Sequence, residues 1–439
     1  MKSNLLGSHH LLALPLLIGN ILQQFYNTID ALIVGRYLGI SAFAAIGLSG
    51  TIMNLFIFVL NGFCVGISML FAQFYGMHNE KNFRKEFALS IWAGLLITAI
   101  LSILSLLFLR PLLRMMQTPD NVFPYVISYL TIILCSLFAT YFYNLFSNVL
   151  RSVGDTNASL LFLFVSILLN TLLDILFIAV LHMGIAGGAY ATVISQLFSA
   201  CCCYLYLRKR YPMLICRKED FTFHKTLLTQ TLSYGIVSAL HQSSLYIGKL
   251  LVQGAVNTLG TSAIASYTAT MRVEGIVNAF SDSGSQSMSI LIAQNHGAGN
   301  KKTVCEGFHH GLLLLVLSGI LLSAIMFLTS PICMMFLIGS NDEQIIAPGI
   351  SYLKVISIFY VLCYIGNAFV GFFRGVGKVN IPFIATTVHI TLRVILSYLL
   401  VERLGLPAVA IATGIGWICV VFVHEFSYLK YQKRINKSY

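Results

Sequence analysis

Residues 15–39 read PLLIGNILQQFYNTIDALIVGRYLG. The stretch is apolar enough to cross a bilayer, yet Asp30 lies in its middle. A charge at membrane depth costs about 2.5–3.5 kcal/mol on insertion scales, so such residues are rare and functional by default. Gln23, Tyr26, Asn27 and Asp30 fall at i, i+3, i+4 and i+7, one polar stripe on a helix. Lipid does not accept that stripe, so it is expected to line a cavity or the bundle interior. Pro15 precedes Asp30 by about 22 Å at ~1.5 Å per residue. It frees a backbone carbonyl and is read as a hinge.

The composition extends this reading to the whole chain. Of 439 residues, 57% are hydrophobic and only 10% charged, whereas a soluble protein carries roughly 25% charged residues. Repeated apolar runs of about 20 residues imply an all-α, polytopic membrane protein, not a barrel of short alternating strands. The amino end carries one lysine and runs into the first span, so no cleavable signal peptide is expected. With twelve spans and a cytoplasmic amino end, cytoplasmic segments hold 19 of the 27 Lys and Arg residues. That bias orients the protein with both termini in the cytoplasm. The net charge of +12 therefore reports topology, and no nucleic-acid partner is expected. The ten cysteines lack metal-ligand spacing and read as packing residues.

Helices are expected near 11–35, 42–76, 86–109, 124–150, 156–181 and 186–208, and then near 227–256, 262–294, 308–337, 346–374, 380–402 and 406–430. A basic linker, residues 208–225, separates the two sets. The halves repeat. Leu38-Gly39-Ile40-Ser41-Ala42 matches Leu259-Gly260-Thr261-Ser262-Ala263, and Ala72-Gln73, Gly76 and Phe87 match Ala293-Gln294, Gly297 and Phe308. Tyr141, Asn144, Arg151, Val153 and Gly154 match Tyr364, Asn367, Arg374, Val376 and Gly377. A nearly constant offset over most of the chain means duplication. The lobes are expected at residues 1–220 and 221–439. Six spans per copy insert both copies the same way up, one of the two repeat designs of secondary transporters.

Further polar stripes mark the spans: Asn144, Ser147, Asn148 and Arg151; Asn54, Asn61 and Ser68; Glu274, Asn278, Ser281, Asp282 and Ser285. Some of these glue helices together; stripes on so many spans also favour a watered cavity. Asn170 and Asp174 leave one helix face at i, i+4, and a glycine-rich turn, 184–188, brings Thr192 back toward them. Two carboxylates with amide and hydroxyl oxygens suit a hard cation such as sodium. They equally suit a shared proton, and a capped hydrogen-bond network is the structural alternative. In the second half, Asp30 aligns with Leu251, Asn170 with Arg393 and Asp174 with Ser397; only Thr192 keeps its partner, Thr413. Cation coupling is therefore expected in the amino-terminal lobe. Glu274 is a candidate second site for cation or substrate, or else part of an internal ion pair. His241 reads most simply as a hydrogen-bonded histidine.

The chain resembles the MATE family, the multidrug and toxic compound extrusion transporters. The resemblance rests on Pro15 with Gln23, Tyr26 and Asp30, on Ala293-Gln294-Asn295-His296-Gly297-Ala298-Gly299, and on Arg374-Gly375-Val376-Gly377. It implies twelve transmembrane helices in a V-shaped pair of pseudo-symmetric six-helix lobes, and efflux of cationic or amphiphilic compounds driven by proton or sodium entry. It also associates cation binding with Asp30, Asn170, Asp174 and Thr192. Another branch of the family uses carboxylates in helices 7 and 10; here Gln242, Ser243, Ser244 and Asn367 stand in those regions.

These readings converge on a cation-coupled antiporter of the cell membrane. Asp30, Asn170, Asp174 and Thr192 are the expected coupling residues and candidate sodium ligands; Gln23, Tyr26, Asn27 and Asn144 are the expected substrate contacts. The coupling ion is H+ or Na+, no other cofactor is expected, and the chain is expected to act as a monomer. A flippase for lipid-linked precursors is the alternative, compatible with Lys249, Arg272 and Arg393. No catalytic dyad, metal cluster or phosphate loop points to an enzyme.

Overall fold

The computed structural model describes residues 5–115, 118–222, 224–338 and 342–436. The helices are α1 (Leu5–Leu38), α2 (Ile40–Gly76), α3 (Glu80–Met115), α4 (Phe123–Cys135), α5 (Leu137–Ser152), α6 (Thr156–Asp174) and α7 (Ile185–Arg210). They continue as α8 (Lys225–Asn257), α9 (Thr261–Gly297), α10 (Lys301–Ile338), α11 (Glu343–Gly375), α12 (Asn380–Leu404) and α13 (Leu406–Asn436). Each expected span is present. Most begin earlier or end later than the apolar runs, because the helices continue past the hydrocarbon layer.

Two spans depart from simple rods. The fourth is α4 and α5, bent by 49°. The Ser136 amide turns back to the Ile133 carbonyl at 3.0 Å and the Ser136 carbonyl accepts from Ala139 at 2.9 Å, so the chain changes direction there. The fifth, α6, passes into a π-helical turn, Ile175–Val180, directly after Asp174.

Among the described residues, eight helices are long and apolar enough to count as spans on those grounds alone, or nine with the bent pair taken as one. The other three long helices are α1, α8 and α9. Polar side chains dilute them: Asp30 and its stripe in α1, His241 and Lys249 in α8, and Arg272, Glu274 and Asp282 in α9. Of these, α1 and α9 carry polar stripes that the sequence reading assigns to a cavity or the bundle interior.

The chain divides into two compact units, Ile18–Ala239, and Met1–Leu17 with Leu240–Tyr439. The boundaries fall inside α1 and α8. One core gathers Phe63, Phe71, Phe83, Phe87 and Tyr141; the other gathers Phe308, Phe369, Phe372 and Tyr428. The duplication is visible in the backbone. Gly39 and Gly260 have φ of 85° and 90°, Gly154 and Gly377 have 91° and 80°, and Gly184 and Gly405 have 65° and 63°. These left-handed turns need glycine at repeat-equivalent positions.

In the first unit, Gly62 and Gly66 of α2 let the backbone of α8 approach directly, the small-x3-small mode of membrane helix packing. A Cβ on Gly62 would lie 2.7 Å from the Ala239 Cα, and one on Gly66 would meet the Tyr234 carbonyl. The linker is tied to the start of α3, where Arg84 pairs with Asp220 at 3.2 Å and donates to the Met213 carbonyl at 3.2 Å. Gly66→Leu is expected to force α2 from α8 and destabilise the purified protein by about 1–3 kcal/mol, the usual cost of overpacking. A thermal unfolding transition in detergent reads this; an unchanged transition would contradict the packing described.

Candidate cation site

Three helices of the first unit build the site. Asp155 starts α6 as an N-cap, its Oδ1 accepting from the Ala158 amide at 3.2 Å, while Tyr206 and Tyr211 donate to its Oδ2 at 3.0 and 3.2 Å. The far end of α6 then carries Asn170 and Asp174. Gly184 opens α7, and Gly188 packs beside the acid, its ideal Cβ position 3.7 Å from Asp174 Oδ1. Thr192, one turn on, faces the same place.

The sequence-predicted residues Asp30, Asn170, Asp174 and Thr192 come together. All four are buried, at 8%, 1%, 0% and 4% relative exposure. The Asp30 and Asp174 carboxyls lie within hydrogen-bonding reach of each other. With its amide oriented to satisfy both ends, Asn170 donates to Asp174 Oδ2 at 3.0 Å and accepts from the Thr192 backbone N–H at 3.2 Å. Thr192 Oγ1 donates to the Gly188 carbonyl at 3.1 Å and lies 3.5 Å from the Tyr26 hydroxyl. Asp30 Oδ1 and Asp174 Oδ1 are buried without a hydrogen-bond partner. Among the described residues, neither acid has a basic partner within ion-pair distance.

The chemistry follows. A hydrogen bond between two carboxyls needs one proton, since ionised carboxylates only accept. Two like charges in contact in a dry site raise the cost of full ionisation, so the pair titrates as a unit. With Arg and Lys absent from the network, the compensating charge has to be a proton or a small cation, and the two free Oδ1 atoms are acceptors for it.

Tyr129 of α4 is a member that the sequence reading missed. It is buried and lies within electrostatic reach of Asp30, Tyr26 and Asp174, close to Thr192. Its repeat counterpart, Tyr352, was an available signal, since both tyrosines sit at one repeat position.

Of the expected substrate contacts, only Tyr26 is seen at the site among the described residues, through Thr192. Gln23 is exposed on α1, Tyr26 is half-buried, and the Asn27 side chain lies outside the described residues. Asn144 spends its amide on the Thr140 carbonyl at 2.8 Å. Ser147 and Arg151 both bond Ser159, at 2.6 and 2.9 Å, which is the helix-gluing use of such residues. Helix α1 runs through Pro15 unbroken. In the second unit, Glu274 accepts from Tyr352 and Tyr360 at 2.6 and 2.7 Å and forms no ion pair among the described residues. His241 is held at both nitrogens, by Thr386 and by Arg374, each at 2.8 Å. Donation from Arg374 makes Nδ1 the acceptor and places the proton on Nε2.

The family model described as MatE matches the chain twice, over residues 15–176 and 238–399. The chain belongs to the MATE family. Its members are transporters, and the two matches coincide with the duplication read from the sequence. The MATE chain is 26% identical over 433 residues to a probable multidrug resistance protein, YpnP, of Bacillus subtilis, covering 96% of this chain and 95% of that one. It is 26% identical to a probable multidrug resistance protein NorM of Thermotoga maritima, over 90% of this chain and 86% of that one. Its fold matches an outward-facing multidrug resistance MATE family transporter with a TM-score of 0.88 at 24% identity, over 98% and 96% of the two chains. The twelve-helix, two-lobe architecture is that of the family.

A double-mutant cycle tests the network. Asn170→Leu strands Asp174 Oδ2 in a buried site and is expected to cost about 1–3 kcal/mol of stability, whereas Asn170→Leu with Asp174→Leu is expected to recover most of it, because removing both partners is nearly neutral. Thermal unfolding of the purified variants reads the coupling; additive losses would contradict it.

Proposed function

We propose that this protein is a cation-coupled antiporter that exports cationic or amphiphilic compounds, with its coupling site at Asp30, Asn170, Asp174 and Thr192. The observation that carries this reading is the buried acid pair, which has no basic partner within ion-pair distance among the described residues. A proton or sodium ion entering the pair neutralises a charge that the membrane interior penalises. Its departure restores that charge, so occupancy biases the balance between two conformations. Tyr129, buried close to Thr192 and the acids, is a candidate positioning residue. The names of the relatives, probable multidrug resistance proteins, support the substrate class.

The repeats 1–220 and 221–439 are taken as the two lobes. Both termini face the cytoplasm, an orientation supported by the Lys- and Arg-rich linker and carboxy end. Pro15 gives α1 a hinge, Gln23, Tyr26, Asn27 and Asn144 contact the substrate, and the protein works as a monomer in the cell membrane.

Transport by purified protein in liposomes, with proton and sodium gradients imposed separately, tests the proposal. Efflux of a cationic dye is expected to follow one inwardly directed gradient. Asp30→Asn and Asp174→Asn are each expected to slow it by at least about tenfold, matching the loss of a charge-assisted interaction of ~1.5–3 kcal/mol. Normal gradient-driven efflux by either variant would remove the pair from coupling.

A further inference from the structure

The duplication gives the second unit a counterpart to the acid pair, and its chemistry has the opposite sign. At the offsets that relate the repeats, Asn170, Asp174 and Thr192 become Arg393, Ser397 and Thr413, and Tyr129 becomes Tyr352. Thr413 keeps the local geometry of Thr192, donating to the carbonyl one turn back, Val409, at 2.7 Å. The acids are gone and a guanidinium stands in their place.

Arg393 has donors to spare. Its Nη2 reaches the Tyr267 hydroxyl only at 3.5 Å, and its Nε is buried with no partner. One turn along the same face of α12, Ser397 is fully buried and its Oγ also has no partner. Glu274 faces Arg393 electrostatically, but the two form no ion pair within 4.0 Å among the described residues. Both Glu274 oxygens already accept from Tyr352 and Tyr360. Aromatic groups complete the surroundings. Trp417 lies 5.1 Å from Tyr360 and stacks on His389, one turn before Arg393, at 6.2 Å and 8° between planes.

A guanidinium keeps its charge at any working pH and presents its donors in a rigid fork. Burying such a group with donors unfilled is costly unless an acceptor arrives. An oxyanion that takes the Nε–H and an adjacent N–H, with a third bond from the Ser397 hydroxyl, fits both unfilled groups at once. We propose that Arg393 and Ser397 form a binding site for an anionic group, a carboxylate or comparable anion, in the carboxy-terminal unit. The group is either a free small anion or the acidic end of an amphiphilic compound. The site is separate from the cation pair, and its binding is measured without a gradient, so its fate does not depend on that of the antiport proposal.

Trp417 makes the site observable. The chain has two tryptophans; Trp92 lies on the outer face of α3, 62% exposed, so Trp92→Phe leaves Trp417 as the sole reporter. The full-length Trp92→Phe protein in detergent is titrated with sodium benzoate, with neutral benzamide, and with sodium chloride. Benzoate is expected to give a saturable fluorescence change and benzamide none. Arg393→Gln is expected to weaken benzoate binding at least about tenfold, and Arg393→Lys and Ser397→Ala by less, since each keeps part of the site. Chloride that saturates the signal and displaces benzoate identifies a free small anion as the occupant; chloride without effect identifies the acidic end of an amphiphile. Equal responses to benzoate and benzamide, or benzoate affinity unchanged in Arg393→Lys and Ser397→Ala, would overturn the proposal even where Arg393→Gln does not fold.

Discussion

Two carboxyls, Asp30 and Asp174, lie buried within reach of each other in a membrane protein, and among the described residues no basic group stands within ion-pair distance of either. Everything else in the first unit can be understood from that constraint. Both carboxyls are buried, and in the reading proposed above their charge is balanced by a proton or a small cation. The neighbours are neutral oxygen and nitrogen groups from Asn170, Thr192, Tyr26 and Tyr129, which shape the site without fixing its charge. Had an arginine stood among them, the acids would form a permanent ion pair and their occupancy would carry no information. The backbone serves the same end: a π-helical turn follows Asp174, and a glycine-opened helix brings Thr192 close. Single π turns are common at functional sites because they re-aim side chains within an otherwise regular helix.

The duplication separates scaffold from chemistry. Positions that make the fold recur in both copies: the left-handed glycines at the helix turns and the core aromatics Phe87 and Phe308. Arg151 and Arg374 recur as well, but the acids Asp30 and Asp174 do not. Acids occupy the first copy, whereas the second has a guanidinium with unfilled donors and a glutamate locked by two tyrosines. A duplicated scaffold with diverged polar centres is a physical route to a transporter that handles two kinds of group in one protein.

Much of this was legible in the sequence, for identifiable reasons. Apolar length marks spans, constant offset marks duplication, and the i, i+4 spacing of Asn170 and Asp174 with a glycine turn before Thr192 places three of the four residues together. Asp30 announces itself because lipid excludes it. What stayed hidden depends on packing between helices. Nothing in the apolar α4 stretch shows that Tyr129 lies close to Thr192, nor that Ser136 breaks the span. Asn144 sits on a promising stripe, yet its amide is taken by its own helix, a local choice that spacing does not reveal. The sequence leaves Glu274 open to an internal ion pair; its oxygens instead accept from two tyrosine hydroxyls, and it forms no ion pair among the described residues.

The central claim is that the acid pair always holds a compensating cation. Infrared difference spectroscopy of the purified protein, recorded between sodium-free and sodium-saturated buffer, tests it most directly through the C=O stretch of protonated carboxyls. The account expects a protonated-carboxyl band that weakens or shifts on sodium addition if the ion displaces the proton, and persists if the pair accepts protons alone. In either case the band disappears in both Asp30→Asn and Asp174→Asn. A spectrum in which neither substitution alters any protonated-carboxyl band, with or without sodium, would show both acids permanently ionised and would contradict it.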